Sequence, residues 1–152
     1  MKEPLVSRIL LYALYAAFVA GALAVASLPF LLDFFVALVL RAAYISNAYR
    51  AFILPFLMGV GTICLWVVLE MIFMLRSIPK GPFVARNVSA LYRLGVLFMA
   101  LSAAFLGKCF VFFTFLTLVC AFIFLGGGLF AFTLAALIRQ SMVLREENEL
   151  TI

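Results

Sequence analysis

Three long apolar runs, at 9–32, 51–75 and 94–138, leave this chain of 152 residues few ways to fold. A helix rises about 1.5 Å per residue, so roughly 20 apolar residues cross the ~30 Å hydrocarbon layer of a bilayer. The first two runs each suffice for one crossing. The third is too long for one and long enough for two, with Lys108 its only charge. The chain is 69% hydrophobic and 11% charged, against about 45–50% and about 25% in ordinary soluble domains. In lipid every backbone N–H and C=O must be bonded within its own segment, which selects helices. The sequence therefore predicts an all-α, integral membrane four-helix bundle forming one domain over 1–152. Its expected spans lie near 9–32, 51–75, 89–108 and 113–138, followed by a tail at 139–152.

The net charge of +5 invites a nucleic-acid reading until the cations are located. They punctuate the apolar runs instead of lining one face, so they report topology, and direct nucleic-acid binding is not expected. Lys2, Arg8, Arg76, Lys80, Arg86, Arg93, Arg139 and Arg145 fall on one side, and Arg41, Arg50 and Lys108 on the other. The positive-inside rule then puts both termini and the middle connection in the cytoplasm of a plasma-membrane protein. Lys108 is expected in a tight turn at the far face, its stem snorkelling toward headgroups. Ala24-Val25-Ala26 imitates a signal-peptidase site, but the apolar region before it is longer than a signal's 7–15 residues. The segment is therefore expected to stay as the first span.

In the first connection, Asp33 can start a helix as its N-cap. Phe34, Phe35, Leu38 and Val39 follow at helical spacing, ahead of Arg41, Ser46, Asn47 and Arg50. That pattern fits an interfacial helix on the outer leaflet, and it also fits an extension of the first span beyond Pro29. Pro55 is expected in the first turn of the second span, where its missing N–H is harmless.

Helices in lipid gain little by hiding apolar side chains from one another, so small residues that admit close backbone approach mark contacts. Ala13, Ala17 and Gly21 form one such stripe, Ala16, Ala20 and Ala24 a second, and Gly127, Ala131 and Ala135 a third. These predict direct packing of the first span on the fourth, and they serve a homo-oligomer equally well. Gly126-Gly127-Gly128 lacks the Lys-Ser/Thr of a phosphate loop and sits at membrane depth, where a hinge is the alternative. The Phe residues of the last two spans, Phe110 and Phe130 among them, read as lipid-facing and packing groups, with a greasy ligand pocket as the other use.

Few polar groups could carry chemistry. Glu70 lies inside the second span, where a lone acid costs several kcal/mol unless paired, protonated or wetted. Arg139 or Arg93 is the expected partner, and a proton-coupled site is the functional alternative. Cys64, Cys109 and Cys120 are widely spaced and read as packing residues. With no His, no carboxylate pair and no Cys-x-x-C, the chain is expected to be no enzyme and to hold no cofactor or metal. Asn87-Val88-Ser89 matches a glycosylation sequon by chance on this topology, and a helix starting at Asn87 or Ser89 is the expected use.

The remaining specific sequence lies on the predicted cytoplasmic face. Pro82, Phe83, Arg86, Asn87 and Arg93 belong to the middle connection and the start of the third span. Glu146, Glu147, Asn148 and Glu149 belong to the tail, at the end of a helix whose dipole disfavours acids. These nine are the candidate partner-docking residues. Two of these stretches carry a resemblance to the bacterial family catalogued as domain of unknown function 2975, small proteins with four spans. The family's Pro-Phe, Asn and Leu-x-Arg-x-Gly step corresponds to Pro82-Phe83, Asn87, Leu91, Arg93 and Gly95. Its Leu-x-Glu-Glu-Asn-Asp-Leu-Thr tail corresponds to Leu144, Glu146, Glu147, Asn148, Glu149, Leu150 and Thr151, with Glu149 in place of Asp. The resemblance implies no established activity; family members are often encoded beside a small helix-turn-helix regulator. The expected function is a membrane regulatory or sensor partner of a cytosolic protein. The alternative is a small proton-coupled transporter or efflux subunit using Glu70.

Overall fold

The computed structural model describes residues 5–40, 47–77 and 85–150. They form four helices: α1 (Leu5–Leu40), α2 (Asn47–Ser77), α3 (Ala85–Val111) and α4 (Phe115–Leu150). Each contains a stretch long and apolar enough to cross a membrane. Large apolar side chains face outward along all four; Phe110, for example, is 92% exposed. Water would penalise such a surface heavily and lipid does not. The architecture is that of a multi-pass membrane protein.

The helices pack in chain order. Among the described residues α1 touches α2, α2 touches α3 and α3 touches α4, the last seam being the most extensive. Paired positions run antiparallel at each seam: Gly21 faces Leu65, Glu70 meets Arg93, and Lys108 meets Thr117. The start of α1 and the end of α4 therefore share one end, called the terminal end below.

Among the described residues the predicted contact between the first and fourth spans is not formed. Gly21 packs on α2, where a Cβ would stand 3.1 Å from Leu65 Cδ2, and Ala13 and Ala17 face outward. Ala131 and Ala135 are buried and Gly127 lies against Phe98 of α3, so the fourth-span stripe serves the α3 seam. Small residues mark where backbones can approach; they do not name the partner.

Several boundaries also differ from expectation. α1 runs unbroken through Pro29 and Asp33 to Leu40, so Asp33 is a helix-interior position and not an N-cap. Residues 41–46 lie outside the described residues. Pro55 sits in the third turn of α2, because the helix starts early, at Asn47. α3 begins at Ala85, ahead of both expected starts. The turn between α3 and α4 falls at 112–114, where the Phe112 N–H bonds the Lys108 carbonyl and the Thr117 N–H bonds the Thr114 carbonyl. Lys108 is thus inside the last turn of α3 and buried, not snorkelling from a loop. The three glycines do not break α4.

Two apolar clusters hold the helices. Leu101, wholly inaccessible, joins Val67 and Leu94 under a shell that includes Cys64, Phe98 and Phe124. Leu32 and Ile53 form a smaller cluster between α1 and α2, with Tyr49 and Phe56 beside it. Phe110, Phe113, Phe115, Phe122 and Phe130 are exposed, whereas Phe56 meets Phe105 edge to face and Phe105 stacks on Phe124.

Candidate functional site

The α2/α3 seam sorts its polar contacts to the terminal end and its aromatic contacts to the other. Arg93 Nε donates to Glu70 Oε1 at 2.7 Å and Nη2 to Oε2 at 3.0 Å. This fork-to-fork geometry satisfies both carboxylate oxygens with charge-assisted bonds. The Glu70 side chain is only 8% exposed and that of Arg93 53%. The acid is therefore held inside by a cation that still reaches the surface. Of the two expected partners the structure selects Arg93, because the antiparallel register of α2 and α3 sets the two side chains opposite each other.

About two turns further toward the terminal end, the same register brings Ser77 to Asn87. Both are buried. The Ser77 hydroxyl lies between the Met74 carbonyl, 2.7 Å away, and the Asn87 side-chain amide, hydrogen-bonded to each. Asn87 therefore fastens the ends of α2 and α3 instead of starting a helix. Sequence reasoning did not single out Ser77. Its only signal is a hydroxyl at the last apolar boundary, which is common.

At the opposite end, Tyr49 and Phe52 of α2 close on the Phe112 ring at 4.9 and 5.5 Å between centroids. Beside them Lys108, 8% exposed, donates from Nζ to Thr117 Oγ1 at 2.8 Å and stands 5.9 Å from the Phe56 ring centroid. A hydroxyl oxygen and a π face partly replace the hydration an ammonium loses at this depth. Thr117 and Phe56 were not foreseen as its partners. In the middle of the α3/α4 seam, Ser102 Oγ donates to the Ala121 carbonyl at 2.9 Å.

Of the nine docking candidates, Arg86, Asn87, Arg93 and Glu147 have described side chains. Pro82 and Phe83 lie outside the described residues. Asn87 is buried against Ser77 and Arg93 is committed to Glu70, so neither can serve as a free docking group. Arg86 is exposed near the start of α3, and Glu147 is exposed on the last turns of α4. Glu146, Asn148 and Glu149 occupy helical positions of α4, their side chains outside the described residues. Arg76 lies over the Tyr15 ring at 5.5 Å and ties α2 to α1.

Fold and site together define a multi-pass membrane protein of four antiparallel helices, with buried polar ties at the terminal end of the α2/α3 seam and at the opposite end of the α3/α4 seam. Comparison with protein-family models, with curated proteins and with solved structures finds no match.

Proposed function

We infer that this protein is a non-enzymatic membrane regulator or sensor that holds a cytosolic partner, a helix-turn-helix protein being the kind its family resemblance points to. One observation carries the reading. α4 does not stop where the uninterrupted apolar run closes, at Ile138, but continues through Arg139 and Gln140 as one helix to Leu150. At about 1.5 Å per residue the segment 139–150 extends the helix by roughly 18 Å past Ile138, the last five residues lying beyond the stretch Phe115–Arg145 that is apolar enough to cross a membrane. An arm of this length with mixed charge is a docking element in search of a surface, since a helix end rich in acids gains from a basic counterpart. By the distribution of Lys and Arg the arm and both termini face the cytoplasm of the plasma membrane, and the last turns of α1 lie at the outer interface.

The transporter reading loses its main support, because Glu70 already accepts both bonds of an arginine. Crosslinking intact membranes and capturing the full chain should recover a soluble partner that disappears when 145–152 is deleted. An unchanged set of captured proteins refutes the reading.

A further inference from the structure

We propose that the cleft between α3 and α4 at the terminal end binds one anionic phospholipid, an acyl chain lying in the cleft and the phosphate on Arg139 and Gln140. The cleft is a consequence of how the two helices cross. A Cβ on Gly128 would stand 3.2 Å from the Gly95 carbonyl oxygen, so the backbones meet there. On one side of that crossing, the Ser102–Ala121 and Lys108–Thr117 bonds keep the helices together. On the other, Phe132 covers Gly95 and its ring meets that of Tyr92 at 5.1 Å. Beyond these rings a cleft of ≈ 480 Å³ opens, lined by Val88, Ala135 and Ala136 and headed by Arg139 and Gln140.

Shape, depth and charge agree on the occupant. The walls belong to spans that would lie in the bilayer, so lipid is the solvent at the cleft's mouth. A cleft of ≈ 480 Å³ with apolar walls has room for one flexible acyl chain. Arg139 is the first charge after the apolar run 94–138, which puts its guanidinium at headgroup depth. It is exposed, and among the described residues it has no hydrogen-bonding or ionic partner and no carboxylate lines the cleft. Glu147 is about two turns further out along α4, in an adjoining groove that Arg139 and Gln140 also line. A guanidinium and a side-chain amide side by side offer a phosphate several N–H donors. This inference is independent of the docking arm and stands or falls without 145–152.

The test is native mass spectrometry of the intact protein in detergent with equal amounts of phosphatidylglycerol and phosphatidylcholine of the same chain length. The wild type should retain the anionic lipid about fivefold over the zwitterionic one, the effect of one arginine at headgroup depth. Arg139→Gln should bring the two lipids to parity. Ala136→Phe, which fills the cleft from an exposed position, should lower retention of both, and Ala136→Leu repeats the measurement if the larger ring disturbs the helices. Equal retention by the wild type overturns the proposal. So does an anionic preference that survives Arg139→Gln, or unchanged lipid retention in both Ala136 variants.

Discussion

Gly95 of α3 and Gly128 of α4 meet backbone to backbone: a methyl group on Gly128 would lie 3.2 Å from the Gly95 carbonyl oxygen, and one on Gly95 would lie 2.6 Å from the Phe132 ring. Gly126, two residues away, has nothing within 4 Å of its Cβ position. The run Gly126-Gly127-Gly128 is therefore one packing glycine beside less constrained ones. Gly95→Ala should destabilise the protein by about 1–3 kcal/mol, as overpacking does. Gly126→Ala should leave it unchanged or stabilise it by up to about 1 kcal/mol, the gain in helix propensity. Unfolding in detergent mixtures, followed by circular dichroism, reads both. A loss at Gly126 equal to that at Gly95 would contradict the assigned crossing.

The Glu70–Arg93 pair predicts an asymmetry between single and double substitutions. Arg93→Met leaves a buried carboxylate without its cation and should cost about 3–5 kcal/mol. Replacing both residues, Glu70→Leu with Arg93→Met, should recover most of that loss, because two apolar groups of similar volume leave nothing unsatisfied. The same unfolding assay decides it. If the double variant is as unstable as Arg93→Met, the pair does not account for the loss.

Lys108 and Thr117 give the complementary case. Thr117→Val removes the hydroxyl that accepts from a buried ammonium and should cost about 1–3 kcal/mol. Lys108→Met removes the charge itself and should be neutral or stabilising, since the cation no longer has to be held at membrane depth. A Lys108→Met variant that folds normally yet loses a cellular phenotype would assign the lysine a role beyond packing.

Ser77 and Asn87 separate architecture from docking. Asn87→Ala removes one of the two hydrogen bonds of the buried Ser77 hydroxyl, leaving its bond to the Met74 carbonyl, and should lower stability by about 0.5–1.5 kcal/mol, while capture of the cytosolic partner at low temperature stays intact. Truncation of 145–152 should do the reverse. Melting curves and crosslinked capture on the same membranes distinguish the two.

Much of the fold was legible from the chain alone. The apolar runs located four spans to within a few residues at most ends, and the acid at Glu70 announced that a cation stands opposite it. The helix starts at Asn47 and Ala85 were harder to read, because polar residues flanking a span are as compatible with helix as with loop. Lys108 was misplaced for a related reason. A lone cation in an apolar run looks like a turn at the membrane face, and only the hydroxyl of Thr117 and the ring of Phe56 make an inward position tolerable. Asn87 and Arg93 could not be read as internal ties, because the burial of one and the pairing of the other depend on α2, which the local motif does not mention.

By itself the sequence determined the solvent, the number of helices and their alternating direction, since run length and charge are properties each segment carries alone. Which helices touch was decided only in three dimensions. A soluble helix declares its buried face by one apolar stripe, but these helices are apolar on every side, and lipid rewards no face over another. The choice fell to contacts no single segment displays: a glycine beneath a carbonyl, a carboxylate within reach of a guanidinium, a threonine beside an ammonium.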